Sequence, residues 1–311
     1  MVEKPPDEPK RENPDQLELD GVLEGIEALP GRLSRYGKAK KGAIDVGEYM
    51  ADFPQFQVMA KRVLSCGDYL VFRHYWTVDK VRLHGASLCC KHLLCPLCAI
   101  RRGSKALKAY LDRWEVIKAE KPALKPFLVT LTVKDGDDLP ERFEHLHKAQ
   151  RELWKRRARI YSTSLDGVAG AVWSYEVKRG SGSGSWHPHL HMIALAENQP
   201  DQDRLSSEWH NITGDSFIVD VRPITGDPVD GFMEVFKYAV KFSDQPPADT
   251  VHAWQILKGK RLLASSGVFR GVVVPDDLMD DQSDFDDLPF VTLFYRYLRG
   301  LGYSVGAREK A

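Results

Sequence analysis

Residues 168–196 read VAGAVWSYEVKRGSGSGSWHPHLHMIALA. Two β-forming runs, Val168 to Lys178 and His189 to Ala196, flank a Gly/Ser stretch from Gly180 to Ser185, which predicts a β-hairpin. Side chains alternate faces along a strand, so His187, His189 and His191 share one face and Leu190, Met192 and Ala194 take the other. If the chain folds back about Gly182 and Ser183, Glu176 stands opposite His189. Two imidazoles and a carboxylate on one face can grip a divalent ion and leave positions open for substrate oxygens. Taken alone, the H-x-H pattern also fits surface histidines at a strand start. Counting from His189, Ile193 falls where an H-x-H-x-D-H metallohydrolase would carry aspartate.

Working outward, Phe127-Leu128-Val129-Thr130-Leu131-Thr132-Val133 is a strong strand, closed by an Asp135-Gly136 turn and followed by a basic helix from about Pro140 to Ile160. Shorter elements follow: a helix over Asp201 to Trp209, a strand over Phe217 to Val221 and a helix from about Val229 to Phe242. On that last helix Val229, Phe232, Met233, Phe236 and Val240 form an apolar stripe, while Glu234, Lys237, Tyr238 and Lys241 lie opposite. Tyr238 is thus an aromatic residue on the polar face, one turn from a carboxylate and flanked by two ammonium groups. A phenol in such company can act as a nucleophile, although an ordinary half-exposed surface tyrosine fits the same pattern.

Upstream, a short helix over residues 55–63 and two strand-like runs, Tyr69 to Trp76 and Val81 to Leu88, precede a cysteine cluster. Cys90, Cys95 and Cys98 stand at metal-ligand spacing and Cys66 supplies a fourth thiol, a set that suits a closed structural zinc site. Cys89 is spare, and His84 and His92 compete for the fourth position. A helix is expected from about Arg102 to Ala119, with Leu107, Tyr110, Leu111, Trp114 and Ile117 at helical spacing. Residues 288–301 form a further apolar stretch. Strand, helix, hairpin, strand and helix in this order predict an α+β fold with an antiparallel sheet.

The chain has 311 residues with 44 basic and 44 acidic side chains, hence zero formal net charge; 43% of residues are hydrophobic and 28% charged. This composition excludes a collagen, a coiled coil and a mostly disordered chain. The zero is a sum of opposed blocks. Residues 1–30 hold nine acids and three bases, residues 61–160 hold 22 bases and 11 acids, and residues 276–287 hold seven aspartates and no base. A basic body between acidic ends points to an anionic polymer as partner, or to solvated charged faces. Residues 1–20, with four prolines and few apolar side chains, read as disordered. No apolar run is long enough to span a membrane, and the N-terminus lacks an apolar signal core, so a cytoplasmic protein is expected.

The order of Phe127–Val133, then His187-Pro188-His189-Leu190-His191, then Lys237-Tyr238-Ala239-Val240-Lys241 resembles the three-motif pattern of rolling-circle replication initiators of small bacterial plasmids, within the HUH endonuclease superfamily. The cysteine segment, with Arg101 and Arg102 behind it, resembles that of one such plasmid family. The resemblance covers about residues 61–300 and leaves residues 1–60 unmatched. It implies an HUH core, with a central antiparallel sheet flanked by helices and a cysteine-rich zinc segment before it. The implied division is 1–60 N-terminal extension, partly disordered; 61–120 zinc-binding and basic segment; 121–245 nuclease core; 246–311 C-terminal segment.

The resemblance further implies that His189, His191 and Glu176 hold Mg²⁺ or Mn²⁺, that Tyr238 is the nucleophile of a single-tyrosine enzyme, that Glu234 activates water, and that Lys241 assists. It places Zn²⁺ on Cys66, Cys90, Cys95 and Cys98. His187 becomes an outer or DNA-facing residue. The expected activity is nicking of single-stranded DNA at a plasmid double-strand origin through a 5′-phosphotyrosine link, which starts and ends replication. Arg101, Arg102, Lys105, Arg156, Arg157 and Lys237 are candidate phosphate contacts, with Lys108, Arg151, Lys155 and Arg159 beside them. No G-x4-G-K-[ST] motif occurs, so unwinding and synthesis would fall to a host helicase and the replication machinery. A relaxase or transposase of the same superfamily, or a non-catalytic zinc-containing DNA-binding regulator, would share much of this pattern.

Overall fold

The Gly/Ser turn closes as the sequence predicts. In the computed structural model, which describes residues 25–88, 93–157, 163–238 and 245–310, the Gly180 N–H donates to the Ser185 carbonyl (2.8 Å) and the Gly184 N–H to the Gly180 carbonyl (2.9 Å). Gly184 sits at φ 69°, a conformation that a side chain disfavours. The turn joins two long antiparallel strands, Val168–Arg179 and Trp186–Ala196.

In chain order the elements are α1 (Leu29–Ala51), α2 (Gln57–Ser65), β1 (Tyr69–Tyr75), β2 (Lys80–Ala86), α3 (Pro96–Glu120), β3 (Lys125–Thr132), α4 (Leu139–Arg157), β4 (Val168–Arg179), β5 (Trp186–Ala196), α5 (Gln202–Thr213), β6 (Val219–Pro223), α6 (Pro228–Tyr238), α7 (Pro247–Leu257), β7 (Leu263–Gly267), β8 (Val291–Leu298) and β9 (Gly302–Lys310). Five strands form one antiparallel sheet in the order β6-β3-β5-β4-β7, and four form a second in the order β2-β1-β8-β9. The fold is α+β, with antiparallel sheets flanked by helices.

Strand alternation gives the five-stranded sheet two different faces. Val129, Leu131, Trp173, Tyr175, Leu190, Met192 and Ala194 pack on one side with Phe143, Leu146, Leu153, Leu205, Trp209 and Leu257 of α4, α5 and α7. The opposite face is apolar at one end only. There Leu128, Val172, Ile193 and Leu195 pack with Leu107, Tyr110 and Trp114 of α3 and with Phe232, Val235 and Phe236 of α6. Farther along β3, β4 and β5 the same face carries Thr130, Thr132, Ser174, Glu176, His189 and His191 instead. The two helices seal the apolar end and leave the polar end as a candidate site.

The smaller sheet packs its Leu70, Phe72, Val81, Leu83, Val291 and Leu293 against Leu29, Tyr36, Ala39 and Ala43 of α1 and Leu97 of α3. Helix α3 therefore reaches both sheets. It starts at Pro96, six residues before the expected Arg102, because Pro at the first turn needs no N–H partner. Residues 29–51 carry no element in the sequence reading; they form α1, whose apolar positions are interrupted by Arg32 and Lys40. Both cations are buried (5% and 1% exposed) and satisfied: Lys40 Nζ meets the Leu64 carbonyl at 2.5 Å and Asp68 at 2.8 Å. The apolar tail becomes the β8–β9 hairpin. The expected disorder of residues 1–20 lies outside the described residues.

Candidate metal centre

The register of β4 on β5 pairs Glu176 with His189 and Ser174 with His191, and β3 brings Thr130 opposite His191. Directly opposed residues project to the same side of a sheet. Glu176 Oε2 lies 2.5 Å from His189 Nε2 and 3.2 Å from His191 Nε2, and one ligand atom from each of the three groups lies within 4.8 Å of the others. Glu176 and His189 are buried.

The far side of each imidazole is occupied. His189 Nδ1 faces the His187 carbonyl at 3.3 Å, which only an N–H can satisfy. His191 Nδ1 meets Thr130 Oγ1 at 3.2 Å. Such outer bonds orient metal-binding histidines. Burial opposes the negative charge of Glu176, but the hydrogen bonds of His189 and His191 outweigh it and hold the carboxyl well below the usual carboxylate range. Burial lowers the His191 pKa, and the neighbouring Glu176 and Glu234 only partly offset this. One carboxylate and two imidazoles, each imidazole held from its outer nitrogen, are a donor set that fits a divalent cation.

His187 shares the face, its ring centroid 5.1 Å from that of His189. It stands outside the three-residue cluster and pairs through Nδ1 with Asp135 Oδ1 at 2.5 Å. The Ser183 hydroxyl holds the same carboxylate. The sequence reading saw Asp135 only as a turn residue. The Asp135-Gly136 turn directly after the first motif strand is a local signal, but the pairing spans 52 residues.

Helix α6 lies across β4 and β5, pinned where Ser174 Oγ donates to the Val235 carbonyl at 2.6 Å. Ser174 is the register partner of His191, so the helix is anchored one residue pair from the cluster. Glu234 is half-buried and its charge reaches His191. Val235, which the helical wheel left off the apolar stripe, is fully buried. Tyr238 is the last residue of α6; its side chain, that of Lys237 and all of Lys241 lie outside the described residues.

A second cluster lies at the start of α3. Cys66, at the end of α2, meets Cys95 and Cys98 with their sulfurs within 4.8 Å; all three are buried, and Cys66 Sγ and Cys98 Sγ are 3.6 Å apart. Three converging thiols are a soft donor set that fits zinc. Cys90, the expected fourth ligand, and its competitor His92 lie outside the described residues. His84 is not a partner of the cluster, since its exposed ring faces Gln282 at 3.1 Å.

The cationic candidates divide. Arg101 is corrected: it is 1% exposed, and its guanidinium meets Asp280 at 2.5 Å, the Tyr36 hydroxyl at 3.0 Å and the Leu278 carbonyl at 2.8 Å. A group so enclosed holds the fold and does not face a phosphate. Arg157 is likewise engaged, donating to the Leu165 and Val168 carbonyls beside the Trp154 ring. Arg102 and Lys105 are half-buried, and burial, assisted by Arg101, lowers the Lys105 pKa. Arg156 forms a helical pair with Glu152 at 3.3 Å. Arg159 lies outside the described residues.

Comparison with known proteins places these features in context. The family model described as "Rep_1: Replication protein" matches residues 80–291, well over half of the chain. Curated relatives include a protein named "Protein rep" from a Bacillus species, 27% identical over 55% of this chain and 55% of its own length. Another from Bacillus amyloliquefaciens is 25% identical over 66% of this chain and 63% of its own. A third, from Streptococcus pneumoniae, is 26% identical over 75% and 73%. The matched region thus spans about half to three quarters of these relatives. No solved structure gives a significant match.

Proposed function

This chain belongs to the Rep_1 replication protein family, and from that premise we propose that it is an HUH-type, single-tyrosine endonuclease that nicks the double-strand origin of a plasmid to start rolling-circle replication and rejoins strands to end it. The observation that carries this reading is the Glu176–His189–His191 cluster, set on the polar end of one face of an antiparallel sheet, with the helix of Glu234 and Tyr238 pinned beside it.

Glu176, His189 and His191 would hold Mg²⁺ or Mn²⁺, which, when bound, polarises the scissile phosphate. The Tyr238 phenol oxygen attacks phosphorus, a new P–O bond forms to tyrosine, and the bond to the 3′ oxygen breaks. The phenol gives up its proton as the new bond forms and the departing 3′ oxygen takes one up, so none is gained or lost overall. The products are a 5′-phosphotyrosine and a free 3′-OH that primes synthesis. The Thr130 hydroxyl and the His187 carbonyl keep the two imidazoles aimed at Glu176 throughout. Lys237 and Lys241 are assigned to the phosphate, and Arg102, Lys105 and Arg156 to the DNA backbone, for sequence-independent, salt-sensitive affinity. A host helicase supplies unwinding. Among the described residues no helix is long and apolar enough to cross a membrane, and a cytoplasmic site of action fits a DNA substrate.

At termination Glu234, one helical turn before Tyr238, takes a proton from water for the releasing cleavage. Glu234→Gln is expected to leave the first cut within a few-fold of wild type and to slow release by about 10²-fold or more. Single-turnover nicking and release of a labelled oligonucleotide measure the two steps; equal loss in both would sink this division of labour.

The three buried thiols are assigned, with Cys90, to structural zinc. Metal analysis should find about one zinc per chain, and Cys98→Ser should remove it and lower the thermal midpoint by several degrees. Wild-type protein that contains no zinc and is insensitive to chelators would refute the assignment.

A further inference from the structure

The outer face of the four-stranded sheet has no role in the chemistry above. Register places Tyr69 opposite Arg296, Val71 opposite Phe294, Arg73 opposite both Arg82 and Thr292, and Tyr75 opposite Lys80. Opposed residues share a face, so Tyr69, Arg73, Lys80, Arg82, Phe294 and Arg296 project together, away from the apolar side that packs on α1 and α3. No carboxylate joins them from β1, β2 or β8. Two arginines directly opposite one another disfavour the sheet unless something anionic or aromatic lies over them.

Half of the face already has such a cover. In the Asp-rich segment, Gln282 meets Arg73 (3.4 Å), the Tyr75 hydroxyl (3.1 Å) and His84 (3.1 Å). Phe285 stacks on Tyr75 with centroids 5.1 Å apart at 28°. Arg82 lies over the Phe285 ring at 4.9 Å and Arg73 over Phe290 at 4.3 Å. A flat ring on a tyrosine, guanidiniums over rings and acids close by are the contacts a nucleic-acid strand would make. Among the described residues the other half lacks this cover. Tyr69, 41% exposed, is stacked on Phe294 (5.8 Å, 20°) with exposed Arg296 across the strand pair.

We propose that this Tyr69–Phe294–Arg296 surface is a single-stranded DNA platform, with a base stacked on Tyr69 and the backbone phosphate on Arg296. It lies outside the nicking centre and rests on the reading that the chain acts on DNA. The adjacent aromatic and cationic side chains favour an unpaired strand, whose bases are free to stack.

The test is fluorescence anisotropy of the full chain with a labelled oligothymidine that lacks any origin sequence, across a salt series. Tyr69→Ala is expected to weaken binding about tenfold and Tyr69→Phe to retain it. Arg296→Gln is expected to weaken binding and to reduce the log–log salt slope by about 0.7, one phosphate contact on a single strand. Binding by Tyr69→Ala and Arg296→Gln within twofold of wild type, or no wild-type binding to oligothymidine, overturns the platform; so does an equal loss on a duplex of the same length. The nuclease reading fails separately: persistent nicking by Tyr238→Phe would remove that reading while leaving the oligothymidine result intact.

Discussion

Tyr238→Phe is expected to reduce origin nicking to background and to abolish the covalent protein–DNA adduct. The substitution removes one oxygen atom and keeps the ring. What is lost is the atom that bonds to phosphorus in the first cut. Removing a nucleophile commonly costs many orders of magnitude in rate. The measurement is a labelled origin oligonucleotide with Mn²⁺, resolved under denaturing conditions so that a tyrosine-linked species migrates apart from substrate. Glu176→Gln should give the same double loss through failed metal retention, with DNA binding preserved. Adduct formation by Tyr238→Phe at even a few per cent of the wild-type rate would mean that another side chain is the nucleophile. Origin specificity separates an initiator from a relaxase or transposase, and intact binding without any cleavage would indicate the non-catalytic regulator.

The second large effect concerns stability. Asp280 belongs to a run of seven aspartates that reads as a solvated loop, yet its side chain is only 8% exposed. It binds Arg32 at 2.8 Å, Arg101 at 2.5 Å and the Leu83 N–H at 2.6 Å. Both guanidiniums also meet the Tyr36 hydroxyl. One carboxylate therefore bridges two buried cations from α1 and α3 and ties the 276–287 segment to β2. Asp280→Ala removes the carboxylate that both buried guanidiniums share and should destabilise this part of the molecule by about 3–5 kcal/mol, read as a shift of the urea midpoint. Replacing Arg32, Arg101 and Asp280 together by apolar residues of similar volume should recover most of the loss. A shift below about 1 kcal/mol for the single variant would show that the knot is solvated.

The two predictions illustrate different degrees of legibility. The hairpin was readable because a strand alternates with period two: once the turn is centred on Gly182 and Ser183, the pairing of Glu176 with His189 is arithmetic. The amphipathic stripe of α6 was readable in the same way, through Phe232 and Phe236. Helix α1 was not, because Arg32 and Lys40 break its apolar pattern and their burial depends on Asp280 and Asp68, 248 and 28 residues away. Arg101 misled for a related reason. Next to Arg102, and after a cysteine cluster, it looks like a phosphate contact, and nothing local distinguishes a cation facing solvent from one facing a distant carboxylate. Asp135, the partner of His187, went unnoticed because a turn residue carries no sign of what it meets across the sheet.

From sequence alone, then, came whatever depends on neighbours along the chain: four of the five strands of the larger sheet, the shared face of the histidines and Glu176, the thiol spacing, and the charge blocks hidden under a net charge of zero. Tertiary structure decided which charges are solvated and which are buried, that Cys66 joins Cys95 and Cys98, and that the polar end of one sheet face lies beyond the apolar packing of α3 and α6. The physical reason is range. Periodicity and turn chemistry act over a few residues, whereas the environment of a charge or a thiol is set by whichever segment the fold packs against it.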